Sequence, residues 1–251
     1  TSANDATITL NNTSNAFTGA MTITTNDASG TDADVTIDGG TTALNIGAST
    51  IDGDLTVTSD NASGIIDSGT VTVGGNLVAT TDDNNGVINL GTTLVTGTVA
   101  LTTNGSGNAT FDNDSLNIDL AASNVGGNLT VTTGNVSGIT DSGTVTVGGN
   151  FTATTDANSG VINLDSMAVD GTFTLSPHST GAVTVVNDAG LDLAASTMGG
   201  TFSGTATTGN ITDTGALAIT GTTTLVTSAN DATITLNNTS NAFTGAMTIT
   251  T

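Results

Sequence analysis

The chain has 251 residues, 22 acidic residues, no Lys or Arg and one His, giving a formal charge of −22 in which every acid is Asp. Without cationic side chains it has no means of gripping a nucleic-acid backbone or docking on an anionic membrane, and without Cys it forms neither a disulfide framework nor a thiolate metal site. No apolar run approaches the ~18 residues of a membrane-spanning helix, and no signal peptide is visible in this segment. Glu, Gln, Trp and Tyr are also absent. Thr, Ser, Asn, Asp and Gly are left to fill the surface, a set suited to pleated strands and tight turns, and with most helix formers missing almost no helix is expected.

The first 25 residues, TSANDATITLNNTSNAFTGAMTITT, return letter for letter as residues 227–251. The chain therefore reads as one continuous segment, 1–251, made of a 226-residue period (1–226) and the start of the next. Such self-similarity signals a repeat architecture rather than a globular domain, and the missing initial Met fits a window from a longer tandem array.

Along the chain one pattern recurs, apolar-x-Gly-x-apolar. It runs through FTGAM (17–21), IDGDL (51–55), VGGNL (73–77), VTGTV (95–99), VGGNL (125–129), VGGNF (147–151), VDGTF (169–173) and MGGTF (198–202), then the degenerate ITGTT (219–223) and a second FTGAM (243–247). The central glycines are Gly19, Gly53, Gly75, Gly97, Gly127, Gly149, Gly171, Gly200, Gly221 and Gly245. Two short units and one long one make a block of roughly 75 residues, and three blocks make the period.

Each unit alternates with period two on both sides of its glycine, as in TVTV (70–73) before and LTVTT (129–133) or FTATT (151–155) after. A turn rich in Asp, Asn and Gly follows, TDDNNG (81–86) or TDANSG (155–160), and then a third short strand such as VINL (87–90). Long units insert one more apolar stretch: LNIGAS (44–49), LNIDLAAS (116–123) or LDLAAS (191–196).

Three short strands per unit with glycine corners and no helix predict a parallel β-helix, or β-solenoid, of about nine to ten turns with units of 21–34 residues. Nine units at ~4.8 Å each predict a rise of about 43 Å per period. Leu77, Val99, Leu129, Phe151, Phe173 and Phe202 are expected to stack as one inward ladder, and Asn76, Asn128 and Asn150 as a side-chain amide ladder. The corner glycine would serve either a positive φ or a close approach of backbones.

Little in the sequence points to catalysis, and the chain is expected not to be an enzyme. His178 sits in the turn SPHSTG and reads as a turn residue in place of Asp or Asn. Asp67, Asp141 and Asp213 recur in I-x-D-[ST]-G as a structural column rather than as the local carboxylate pair of a glycosidase. The acids offer hard oxygen ligands for Ca2+ or Mg2+. Candidate ligands are Asp27, Asp32 and Asp34, then Asp82 and Asp83, then Asp112 and Asp114, and none of these groups follows an EF-hand pattern. With 21 acids per period, diffuse binding of divalent cations and lateral bundling of rods are expected. Outward T-x-T rows at Thr130/Thr132, Thr152/Thr154 and Thr248/Thr250 give a minor alternative, an ice-binding face.

The run 211–251, and GTVTVGGNLVATTD (69–82) with its copy at Gly143, resemble repeats of very large bacterial surface proteins of the filamentous-haemagglutinin type. The resemblance covers essentially the whole chain, although the absence of Lys, Arg and Gln departs from the family pattern. It implies a right-handed parallel β-helix, export across the outer membrane and an extracellular place on the bacterial cell surface. It carries over no binding or catalytic residue. The expected role is structural, the repeat of a β-solenoid fibre whose partners are copies of itself and divalent cations. The alternative is the stalk of a giant adhesin whose binding head is elsewhere.

Overall fold

The computed structural model describes residues 5–26 and 32–251. The alternation is realised in thirty strands, most of three to five residues, with no helix among the described residues. The strands pair in parallel with counterparts about one circuit away, so the chain is an all-β parallel β-solenoid. We call each circuit a rung.

Two faces enclose a thin core. Face 1 is a 14-stranded sheet, and face 2 is a ten-stranded sheet flanked by two sheets of three strands. At pole A the chain crosses from face 2 to face 1, and at pole B it crosses back. Inward side chains of both faces form one buried cluster, which removes apolar surface from water that no single rung could bury alone.

A rung places one straight strand on one face and two short strands with a bend between them on the other. For Leu55–Ser59 and Leu77–Thr81 the straight strand is on face 1, and the split pairs Ile65–Asp67 with Val71–Val73, and Ile88–Leu90 with Thr93–Val95, are on face 2. For Leu129–Thr133 and Phe151–Thr155 the straight strand is on face 2, and the split pair Ile139–Asp141 with Val145–Val147 is on face 1. From Phe202–Ala206 upward the straight strand is again on face 1.

The long units cause this alternation, because each contains a rung and a half. Following face 1 upward from Ile8, ten parallel steps lead to Thr223–Thr227. Half a rung later Ile234, the copy of Ile8, pairs with Ile211 on face 2. The period is therefore ten and a half rungs, about 21.5 residues each, rising about 50 Å at ~4.8 Å per step. This corrects the nine rungs and 43 Å expected from counting glycine units.

The half-rung shifts also break the single inward ladder. Leu55, Leu77 and Val99 stack on face 1, whereas Leu129, Phe151 and Phe173 stack on face 2. Phe202 returns to face 1, between Val183 and Thr223. Phe151 and Phe173 meet edge to face, with ring centroids 5.7 Å apart and planes at 61°, the arrangement an aromatic quadrupole favours.

The glycines follow the same rule. Gly53, Gly75 and Gly97 are at pole A, as are Gly200, Gly221 and Gly245, while Gly127, Gly149 and Gly171 are at pole B and continue a column begun by the turn glycines Gly86 and Gly107. None of these corner glycines has a left-handed φ; close backbone approach is their reason. A Cβ on Gly149 would stand 2.8 Å from the backbone of Gly127 and 2.4 Å from Asn128 Oδ1. Left-handed residues occur instead in the Asp/Asn turns, at Asn84, Asn85, Asn158, Ser159 and Gly138 among others, where short polar residues and glycine tolerate it.

Candidate functional site

Buried polar chemistry concentrates where the straight and split faces exchange. At each such junction a split pair is laid over a straight strand, and the straight strand's central N–H loses a backbone acceptor. A buried serine supplies one. Ser49 Oγ accepts the N–H of Ile23 at 3.0 Å, Ser123 Oγ that of Leu101 at 3.1 Å and Ser196 Oγ that of Leu175 at 3.0 Å. Each hydroxyl donates to the carbonyl two residues back, in Gly47, Ala121 and Ala194. These serines end the inserted stretches LNIGAS, LNIDLAAS and LDLAAS, so the inserts are the junctions themselves.

On the opposite face a straight strand covers a split pair, and a second side chain fills the gap. Asn113, fully buried, accepts the N–H of Val95 at 2.7 Å and donates through Nδ2 to Val95 O at 2.9 Å and Asn117 O at 2.7 Å. Asn187, also fully buried, makes the corresponding bonds to Val169 N at 2.9 Å, Val169 O at 3.0 Å and Gly190 O at 2.6 Å. At the first junction Thr42 Oγ1 accepts the N–H of Phe17 at 3.1 Å. Nothing in the alternation distinguished Asn113 and Asn187 from a chain full of turn asparagines; their separation in sequence, the same as that of Ser49 and Ser123, was the available signal. The same junction rungs also hold buried side-chain oxygens without a hydrogen-bond partner at Asn45, Asp119 and Asp192.

The acids serve the backbone more than one another. Asp34 Oδ1 accepts Asp54 N–H, Asp54 Oδ1 accepts Asn76 N–H and Asn76 Oδ1 accepts Thr98 N–H, climbing pole A. At pole B the series runs Asn108, Asn128, Asn150 to Thr172. The expected amide ladder is therefore two ladders, each joining a side-chain oxygen to the backbone N–H one rung up, with Asn76 at the opposite pole from Asn128 and Asn150. Asp67 accepts the N–H groups of Gly91 and Thr92, Asp141 those of Asp165 and Ser166, and Asp213 those of Asn237 and Asn238. Burial raises the Asp141 carboxyl despite these donors; in Asp213 burial also pushes upward but the donors, with Asn241, hold it below its ordinary value.

Of the candidate metal ligands, Asp27 lies outside the described residues. Asp82 and Asp83 are at pole B beside Asp38 and Asp60; a hydrogen bond with Asp82, then burial and the neighbouring charges, raise Asp60 to about 6. Asp112 accepts the N–H of Asp114 at 2.8 Å, and its carboxyl is raised, chiefly by burial. Asp32 and Asp34 precede the strand Val35–Asp38. Among the described residues no three acidic or imidazole side chains converge as a metal site. His178 Nδ1 accepts the N–H of Ser159 at 3.3 Å within the pole A turns. The Thr rows divide between faces, Thr130/Thr132 and Thr152/Thr154 on face 2 and Thr248/Thr250 on face 1.

No curated protein and no solved structure matches the chain. Three stretches, 32–84, 106–177 and 180–250, match one repeat family, and the starts of the last two are as far apart as Asn113 and Asn187. With most of its length matched, the chain belongs to the family described as repeats of unknown function (DUF5649).

Proposed function

We propose that this chain is the structural repeat of an extracellular β-solenoid fibre on a bacterial cell surface. The observation that carries the reading is the return of residues 1–25 as 227–251, on a solenoid whose polar groups are used to bind rung to rung. Its partners are further copies of the same period, with divalent cations screening the Asp-rich poles and permitting lateral packing. At 21 acids per ~50 Å period, axial charge is about one per 2.4 Å, against one per ~1.7 Å for duplex DNA. The resemblance to haemagglutinin-type repeats supports an exported location, and the reading assigns no reaction to the chain.

Electron microscopy of intact cells and shed material tests it. Continuous or bundled filaments with ~4.8 Å rungs and an axial rise of about 50 Å per sequence period are expected. Isolated rods ending in a globular tip would make the chain an adhesin stalk, and absence of the protein from the cell exterior would overturn the proposal.

A further inference from the structure

Two Asn–Gly pairs occur in the chain, Asn85–Gly86 and Asn104–Gly105, in consecutive rungs of the pole B turns. In such a pair the glycine's backbone nitrogen and the asparagine's side-chain carbonyl carbon can close a five-membered ring. Glycine puts no side chain in the way and lets the main chain rotate. Ring closure then needs two things of the fold: an attacking N–H that no acceptor holds, and a carboxamide free to turn toward it.

The turn 102–107 supplies both. Asn104, Gly105 and Ser106 are exposed, and Gly105 has a left-handed φ of 55°. Among the described residues the Gly105 N–H has no acceptor, and the Asn104 carboxamide keeps one long contact, Oδ1 accepting the N–H of Asn85 at 3.5 Å. One rung below, Asn85–Gly86 is locked. Gly86 is buried, its N–H donates to Asp83 O at 3.1 Å and its carbonyl accepts from Thr81 Oγ1 at 2.8 Å. Asn85 Oδ1 accepts the N–H of Ser106 at 3.0 Å.

We infer that Asn104 is a site of spontaneous modification, deamidated through a cyclic imide, and that the fold protects Asn85 from the same reaction. Gly105 N, its proton taken by hydroxide, attacks Asn104 Cγ. The new C–N bond forms as Cγ–Nδ2 breaks, and Nδ2 leaves as ammonia with a proton from water, which restores the hydroxide. A further water then opens the ring. Cleavage of the N–Cγ bond gives aspartate, and cleavage of the other N–C bond gives isoaspartate, whose main chain runs through Cγ. One water is consumed for each ammonia released, and nothing is oxidised or reduced. Either product adds a negative charge at pole B. Isoaspartate also lengthens a turn that Gly107 N–H closes on Asn104 O at 3.0 Å and Thr103 Oγ1 closes on Gly107 O at 2.8 Å. The chain's charge thus records its time in water, wherever the chain is displayed.

Peptide mapping of the full chain tests this. With no Lys or Arg to cut at, cleavage before aspartate is the useful cut, and it releases 83–111 with both pairs inside. The chain is held at mildly alkaline pH in heavy-oxygen water, folded in one arm and in concentrated urea in the other, and fragment spectra read the label at residues 85 and 104. In the folded arm Asn104 should be labelled at least about tenfold faster than Asn85, a barrier difference of ~1.4 kcal/mol. In urea the two rates should converge. Equal rates in the folded arm, or an inert Asn104 while the urea arm reacts, would overturn the inference. So would the same ratio in both arms, because local sequence would then account for it without the fold.

Discussion

Replacing Asn113 by leucine tests whether the half-rung shift is held by a side chain. The substitution removes three hydrogen bonds and strands Val95 N–H, Val95 O and Asn117 O in a site with no solvent exposure. Each stranded buried group costs about 1–3 kcal/mol, or ~3–9 kcal/mol together. Burying the leucine side chain returns about 1.5–3 kcal/mol, so a net loss of roughly 2–6 kcal/mol is expected. Because a solenoid opens locally rather than as one cooperative unit, the assay is amide hydrogen exchange read residue by residue, with chemical denaturation alongside. Amides of Val95 and of strand Val99–Thr102 should exchange about thirtyfold faster or more, at a tenfold change per ~1.4 kcal/mol, while rungs beyond Phe202 stay protected. Asn187→Leu should reproduce the effect around Val169, whereas an exposed amide such as Asn104 should tolerate the same change. Unchanged protection in both junction variants would refute the reasoning that these two amides replace missing ladder bonds.

Gly149→Val drives a branched side chain into the backbone of Gly127, 2.8 Å from the first added carbon; a loss of ~2–4 kcal/mol confined to neighbouring rungs is expected by hydrogen exchange, and unchanged melting would remove the close-approach account of the corner. Asp60, raised to about 6 by Asp82, takes up a proton more readily folded than unfolded, so its contribution to stability is full below pH ~4 and is lost as pH rises through ~6. Melting temperature should thus fall from pH 5 to pH 7.5, and Asp82→Asn should flatten that dependence and raise the value at pH 7.5; equal slopes for variant and parent would reject the pairing. Removal of divalent cations with a chelator should lower the melting temperature and disperse laterally associated rods, and identical melts and association states with and without chelator would exclude cation screening. Ser123→Ala strands the N–H of Leu101 and should destabilise by about 1–3 kcal/mol, checked by exchange at that amide.

Parts of the fold are legible in the order of residues alone. TVTVGGNLVATT alternates with period two about a glycine, and an element that buries one face and wets the other must alternate that way. The absence of Lys, Arg, Glu and Gln leaves surface positions to residues that favour strands and turns. In the sequence Asp67, Asp141 and Asp213 read as one structural column; each carboxylate binds backbone N–H groups one rung up, but Asp67 and Asp213 stand on face 2 and Asp141 on face 1, so the column is divided between the faces. The candidate metal ligands were picked out because they are close in sequence; in the fold Asp34 accepts Asp54 N–H and Asp112 accepts Asp114 N–H, each through one carboxylate oxygen.

The exchanged faces, and the residues that permit them, were not legible. Leu77 and Leu129 occupy identical motifs, VGGNL, yet they stand on opposite faces, because a strand on either face is dry on one side and wet on the other and leaves the same local pattern. Which face a motif occupies is a cumulative property of path length around the rungs, set by inserts far from it in sequence. Asn113 differs from Asn104 only in where that path has carried it: the first is sealed beneath a bend, with backbone groups to satisfy, and the second points into solvent. Strands, corners and a period that begins again at Thr227 follow from the order of residues alone, since they depend on local sterics, the two-residue repeat of side-chain direction and simple recurrence. The closing of ten and a half rungs into one stack was needed to settle which pole each glycine holds, which polar side chains are buried, and that one period hands its faces to the next by half a rung.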